Sequence, residues 1–345
     1  MPQPPKISII IPVYNVESYI ADCLQSVMRQ TYAGPMECVL VDDCGKDRSI
    51  EIAEKLIEDY TIANQKSKIK NPISFRIIHH DHNRGVSAAR NTGTDAATGD
   101  YIYYVDSDDY ISDECIEVLT NPLKNYDYDI VIGDVQTLGD GRFTSPIKKT
   151  CIIYSQQEIL SSFFVDVSLY CAPWNKLIKR NLFRLNDMTF VEGQKIGEDM
   201  LWTYKCCACV KSLFVQKVVT YHYVVREESA IGTMNKDKTM RIRDAYISAD
   251  YVLSNPILVA VDLWNIVAAK FLITYVALTD GQSKYKEEYL SLRKKFNYQP
   301  LKAWYRGEIT LIDVKHFFYL VLPPRLGFCF VKIRHTKNHI IALGK

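Results

Sequence analysis

Apolar residues follow two alternating rhythms along the first 137 positions of the chain. Five runs, ISIIIPVY, ECVLVDD, SFRIIHH, DYIYYVD and YDIVIGDV, are nearly continuous in apolar residues. Runs of that kind predict strands covered on both faces, as in a parallel sheet. Between the first two, Ile20, Cys23, Leu24, Val27 and Met28 recur at i, i+3, i+4, i+7 and i+8, which predicts a helix with one apolar stripe. A second helix is expected after Asp47, a suitable N-cap, and a third over VSAARNTGTDAA, whose small residues permit close packing on a sheet. Strand and helix in alternation make an α/β domain, whose ligands bind beyond the carboxyl ends of the strands.

Those ends are where the pattern turns polar. Tyr14 and Asn15 follow the first strand, Asp42 and Asp43 the second, and Asp106, Ser107, Asp108 and Asp109 the fourth. Any one of these carboxylates alone reads equally well as a turn or cap residue. Three polar ends on one edge of one sheet point instead to a shared crevice.

Composition changes this picture little. At 345 residues the chain suits one large domain plus an appendage, and its 48% hydrophobic content is that of an ordinary globular protein. Forty-two basic residues nearly cancel forty acidic ones, so no nucleic-acid partner is expected and any electrostatic function is local. Ten cysteines are scattered through apolar stretches, which argues for reduced thiols and a cytoplasmic protein. The N-terminal apolar run is strand-sized, too short for an export signal. In the segment from Ile257 to Leu278, Asp262, Asn265 and Lys270 share about half the circumference at 100° per residue, which predicts a packed amphipathic helix.

In order along the chain, ISIIIPVYN, VLVDDCGKDRS, NRGVSAARNTG, GDYIYYVDSDD and GEDMLW resemble the serial motifs of the family 2 inverting glycosyltransferases with a GT-A fold. The resemblance covers roughly residues 6–230. It implies a GT-A catalytic domain over 1–240, with a nucleotide-binding part to about 137 and an acceptor part over 138–240, a mostly parallel sheet flanked by helices, and a helical region over 241–345. It implies a nucleotide-sugar donor, UDP-linked, held by Pro12, Tyr14, Asn15, Asp42, Asp43, Arg90 and Asp106. Tyr14 would stack on the base and Asp43, or else Asp42, would accept from a uracil N–H. Arg90 would reach the base or diphosphate, its bland alternative being a surface ion pair.

The chain lacks a dinucleotide fingerprint, a phosphate loop, H-E-x-x-H and G-x-S-x-G. A metal then has to hold the diphosphate, and the D-x-D of Asp106 and Asp108 offers hard oxygen ligands for Mn²⁺ or Mg²⁺. The resemblance favours Asp108 as direct ligand, and Asp109 is expected to cap the next turn. It places the general base at Asp199, with Glu198 beside it, at a helix opening whose dipole would lower basicity. Trp174 is a candidate platform for an acceptor sugar, and Lys176 and Arg226 are candidates for phosphate oxygens, against a buried tryptophan and solvated bases.

Three other signals carry less. His79 and His80 fall on opposite faces of a strand, the C-x-x-C within CCAC stands alone in a helical stretch, and GDG at 139–141 is a turn signal. Beyond Asp313 only basic charges remain, interleaved with phenylalanines, which suits either a solvated terminal helix or peripheral contact with an anionic inner membrane face. The expected reaction is sugar transfer to a glycan or lipid-linked oligosaccharide in surface-polysaccharide assembly. A sugar-phosphate nucleotidyltransferase would need a glycine-rich basic loop where PVYNVESY stands, and a phosphatase an aspartate where Tyr14 and Asn15 stand. A non-catalytic assembly protein of the same fold stays open.

Overall fold

The structure is a computed structural model that describes residues 3–67, 72–139, 145–225, 237–257, 261–279 and 282–295. The chain divides into two compact units, residues 1–163 with 167–229, and residues 164–166 with 230–345.

The first unit is built on β1 (Ile7–Val13), β2 (Met36–Asp42), β3 (Ser74–His79) and β4 (Tyr101–Tyr104), parallel and ordered β3-β2-β1-β4. The connections carry α1 (Ile20–Met28), α2 (Ser49–Ser67) and α3 (Val86–Ala96). Alternation sends Ile7, Ile9 and Ile11 to the face where Cys23, Leu24 and Val27 of α1 pack. On the other face α3 lies against the sheet, and a Cβ on Gly93 would sit 2.4 Å from Ile10 Cγ2, so only glycine allows this approach. Pro12 is buried in β1 beyond the last pair with β4, Ile10 with Tyr104, where a missing N–H breaks no bond to that strand.

Past β4 the mostly parallel sheet takes in antiparallel strands. β8 (Lys176–Lys179) runs antiparallel between β4 and β6 (Ile130–Leu138), while β9 (Leu213–Val224) runs parallel to β6. β5 (Tyr110–Ile111) and β7 (Cys151–Ile153) add to β9 antiparallel, so the nine-stranded sheet is mixed. α4 (Cys115–Thr120), α5 (Gln156–Phe164), α6 (Asn181–Leu185) and α7 (Glu198–Cys209) complete this part of the chain.

The second unit contains α8 (Lys238–Ser254), α9 (Val261–Thr279) and α10 (Lys286–Lys295). α9 buries Val267, Ala268, Phe271, Leu272, Tyr275 and Val276, a helical stripe. Among the described residues no helix is long and apolar enough to cross a membrane. The basic, phenylalanine-rich end, most of the Gly-Asp-Gly turn and Arg226 lie outside the described residues.

Candidate functional site

The three polar strand ends stand together above β1, β2 and β4. Tyr14, 46% exposed, presents an aromatic face at the mouth. Asn15 takes φ 50° and its Oδ1 accepts the Lys46 N–H at 2.7 Å, tying the loop after β1 to the loop after β2. Cys44, at φ 56°, donates from Sγ to the His80 carbonyl. Left-handed backbone at two non-glycine residues is strain tolerated where loop shape matters.

Asp42 and Asp43 part company at the end of β2. Asp42 pairs with the exposed His79 at 2.9 Å. Asp43 is buried and receives the Arg84 and Gly85 N–H groups at 2.7 and 2.8 Å, with His80 Nδ1 at 2.7 Å. Those contacts use three of a carboxylate's roughly four acceptor positions, leaving room for one further donor. The two histidines thus serve opposite faces, each with its own aspartate.

The D-x-D turn is held from β9. Tyr221, fully buried, accepts the Asp106 N–H at 3.2 Å and donates to Asp109 Oδ2 at 2.7 Å, while Asp109 Oδ1 accepts the Val224 N–H at 2.7 Å. Asp109 is therefore a latch onto β9 and not the expected cap of the next turn. Burial, with Asp108 and Asp106 adding repulsion, pushes its carboxyl well above the usual range.

Arg90 projects from α3 into the middle of this array, its side chain 3% exposed. One terminal nitrogen donates to Asp106 Oδ1 at 2.9 Å and the other to Asp199 Oδ1 at 2.9 Å, with Glu198 Oε1 at 3.7 Å. The sequence offered a nucleotide ligand or a surface pair; the structure shows a buried pairing with the carboxylates of two other motifs. Around it, one face of α3 and the loop just before it grip the segment before α7. Asn91 exchanges hydrogen bonds with the Phe190 backbone at 2.9 and 2.8 Å, Ser87 donates to Gln194, and Arg84 pairs with Glu192 at 3.1 Å.

Glu198 and Asp199 open α7 after Gly197, which takes φ 72°. Burial raises both carboxyls above their ordinary range, and Arg90 opposes the rise at each. The expected lowering by the helix dipole is thus outweighed, because desolvation of a carboxylate costs more than a helix end returns. Lys176 is neither solvated nor at the mouth. It is 1% exposed in β8, its Nζ donates to the Tyr170 carbonyl at 3.0 Å and to Asn175 Oδ1 at 2.9 Å, and burial lowers its pKa to about 8. Trp174 is half-buried and stacks on Tyr221 at 4.8 Å and Tyr223 at 5.8 Å, forming an aromatic wall. Neither Tyr221 nor Phe190, whose ring lies 5.3 Å from the Arg90 guanidinium, stood out in the sequence.

Among the described residues no group of three histidine, cysteine or acidic side chains is placed to hold a metal. Asp106 and Asp108 remain a fitting pair for a hard divalent cation that keeps waters and draws further oxygens from a diphosphate.

The family model for Glycosyl transferase family 2 matches residues 8–185. Glycosyltransferase GlyA of Streptococcus pneumoniae is 31% identical over 240 residues, 65% of this chain and 31% of GlyA. The uncharacterized glycosyltransferase EpsJ of Bacillus subtilis is 35% identical over 199 residues, 56% of this chain and 54% of EpsJ. The chain thus spans a third to a little over half of these relatives. The crystal structure of S. aureus TarS 1-349 in complex with UDP-GlcNAc superposes with a TM-score of 0.69 at 20% identity, covering 96% of this chain and 89% of that one, a likeness of fold. With its family model spanning more than half of the chain, this protein belongs to glycosyl transferase family 2.

Proposed function

We propose that this chain moves a sugar from a UDP-sugar to a hydroxyl of a glycan or lipid-linked acceptor, with inversion and with a divalent cation. The observation that carries this reading is the convergence of Asp106, from the acidic turn, with Glu198 and Asp199 around Arg90. In the reaction the acceptor hydroxyl gives its proton to Asp199 as its oxygen bonds to the anomeric carbon. The bond from that carbon to the diphosphate breaks, and UDP leaves with the electron pair.

Each residue has a defined task. Tyr14 stacks on the base and Asp43 offers its remaining acceptor position to a base N–H. Asp108, with Asp106, takes the cation, which supplies charge neutralisation to the leaving diphosphate. Glu198 shares the negative field at Asp199. The wall of Trp174 and Tyr223 suits the face of an acceptor sugar. TarS of Staphylococcus aureus, named a poly(ribitol-phosphate) beta-N-acetylglucosaminyltransferase, is 26% identical over 75% of this chain, which supports an acceptor in bacterial surface polymers.

Calorimetry of UDP with and without Mn²⁺, followed by a screen of UDP-sugars for UDP release, tests the reading. Binding strengthened by Mn²⁺ and release from one donor are expected. No UDP binding under either condition would remove it.

A further inference from the structure

We propose that Arg90 is a positioning residue whose guanidinium sets the spacing between the donor-side carboxylate Asp106 and the acceptor-side carboxylate Asp199, and that it does not itself grip the nucleotide. The inference rests on the sugar-transfer reading of the site and names a role within it.

Four observations carry it. The two terminal nitrogens are divided between the two carboxylates at 2.9 Å each, so one planar group bridges two motifs that lie far apart along the chain. Among the described residues Arg90 Nε is buried without a hydrogen-bond partner, and the side chain's hydrogen bonds go to the two carboxylates. The guanidinium lies over the Phe190 ring, and the Phe190 backbone is fastened to Asn91, the residue next to Arg90, so α3 sets both the cation and its floor. The Arg90 side chain is 3% exposed and both terminal nitrogens are already bonded to Asp106 and Asp199, so the guanidinium is committed to the two carboxylates.

The chemistry gives this spacing value. In a one-step inversion the base stands opposite the leaving group, and a misplacement of about 1 Å can cost on the order of a hundredfold in rate. A planar fork with fixed nitrogens holds two carboxylates at a set distance, which the compact ammonium of lysine does not do.

The full chain tests this with Arg90→Lys and Phe190→Leu, read by UDP calorimetry and by kcat and KM for UDP release. If Arg90 positions, Arg90→Lys keeps the UDP Kd within about threefold while kcat falls roughly a hundredfold, and lysine gives no rescue. Phe190→Leu, which removes no charge, lowers kcat by about tenfold at unchanged Kd. A tenfold or greater weakening of UDP binding by Arg90→Lys, or unchanged kcat in either variant, overturns the proposal.

A donor-free arm separates this from the function itself. In thermal unfolding, the loss in Tm caused by Arg90→Gln should be at least halved in an Asp199→Asn background and likewise in an Asp106→Asn background, because each ion pair then lacks its negative charge. Additive losses overturn the bridge even if UDP never binds. Coupled losses without UDP binding uphold the bridge as structure and overturn its role in sugar transfer.

Discussion

Tyr221 donates its hydroxyl to Asp109 at 2.7 Å while accepting the Asp106 N–H, so a tyrosine of β9 fastens both ends of the acidic turn. Tyr221→Phe leaves the Asp106 N–H and the Asp109 carboxylate each short of a partner in a buried site. A loss of about 1–3 kcal/mol in unfolding free energy is expected in urea titrations. An unchanged midpoint would mean that the turn keeps its shape without this bond.

Asp108 is the proposed direct contact to the cation. Asp108→Ala is expected to bind UDP equally with and without Mn²⁺ in calorimetry, at the affinity of the metal-free wild type. Persistent Mn²⁺ enhancement in the variant would move the metal elsewhere.

Asp199→Asn removes the proposed base and keeps the hydrogen bond to Arg90 within reach. The expected loss is about 10²–10⁴-fold in kcat with UDP affinity unchanged. Asp199 faces Glu198 on α7, Arg90 on α3, Asp106 on the acidic turn and Lys176 on β8. Burial raises its carboxyl, Asp106 adds to the rise, and Arg90 and Lys176 oppose it. A base works ionised, so the rate should be full above this raised pKa and fall as pH drops through it, at higher pH than for a free carboxylate. A lower limb of the pH–rate profile lying where a free carboxylate titrates would remove Asp199 as a base of raised pKa.

Glu37 sits at the far end of the sheet, and its pH effect concerns stability alone. Burial would raise its pKa, but the Ser8 hydroxyl, the Thr98 N–H and hydroxyl, and Lys6 together lower it from 4.5 to about 2. A depressed carboxylate stabilises the fold above its unfolded pKa and loses that contribution as pH falls through the folded value. The contribution is about 3 kcal/mol at neutral pH. Glu37→Gln should therefore be destabilised at pH 7, with its deficit to the wild type closing between pH 4.5 and pH 2. An equal deficit at pH 7 and pH 2 would assign the effect to packing.

The parallel half of the sheet was legible because its strands are buried on both faces and α1 shows its stripe at helical spacing. The rest was hidden by distance along the chain. Lys176–Lys179 is only four residues long, and it becomes a strand by inserting between β4 and β6, a partnership no local pattern announces. For the same reason the antiparallel strands among the parallel ones were not foreseen. The acidic turn could be picked out, but not that Tyr221 holds it, since a tyrosine in an apolar strand looks like packing. In α3 the small residues foretold the contact with the sheet. The polar face of Ser87, Arg90 and Asn91 was harder to read, because all its partners but Asp106 lie roughly a hundred positions later.

The bare Cα of Gly93 works as a gauge block. Resting on Ile10 without a methyl between them, it fixes how high α3 rides above the strands, and Arg90 stands one turn away on that same helix. The reach of the guanidinium toward Asp106 and Asp199 is thus calibrated from beneath the sheet's surface. A single added carbon at 93 would lift the helix and detune both contacts at once, without altering any residue that touches a sugar.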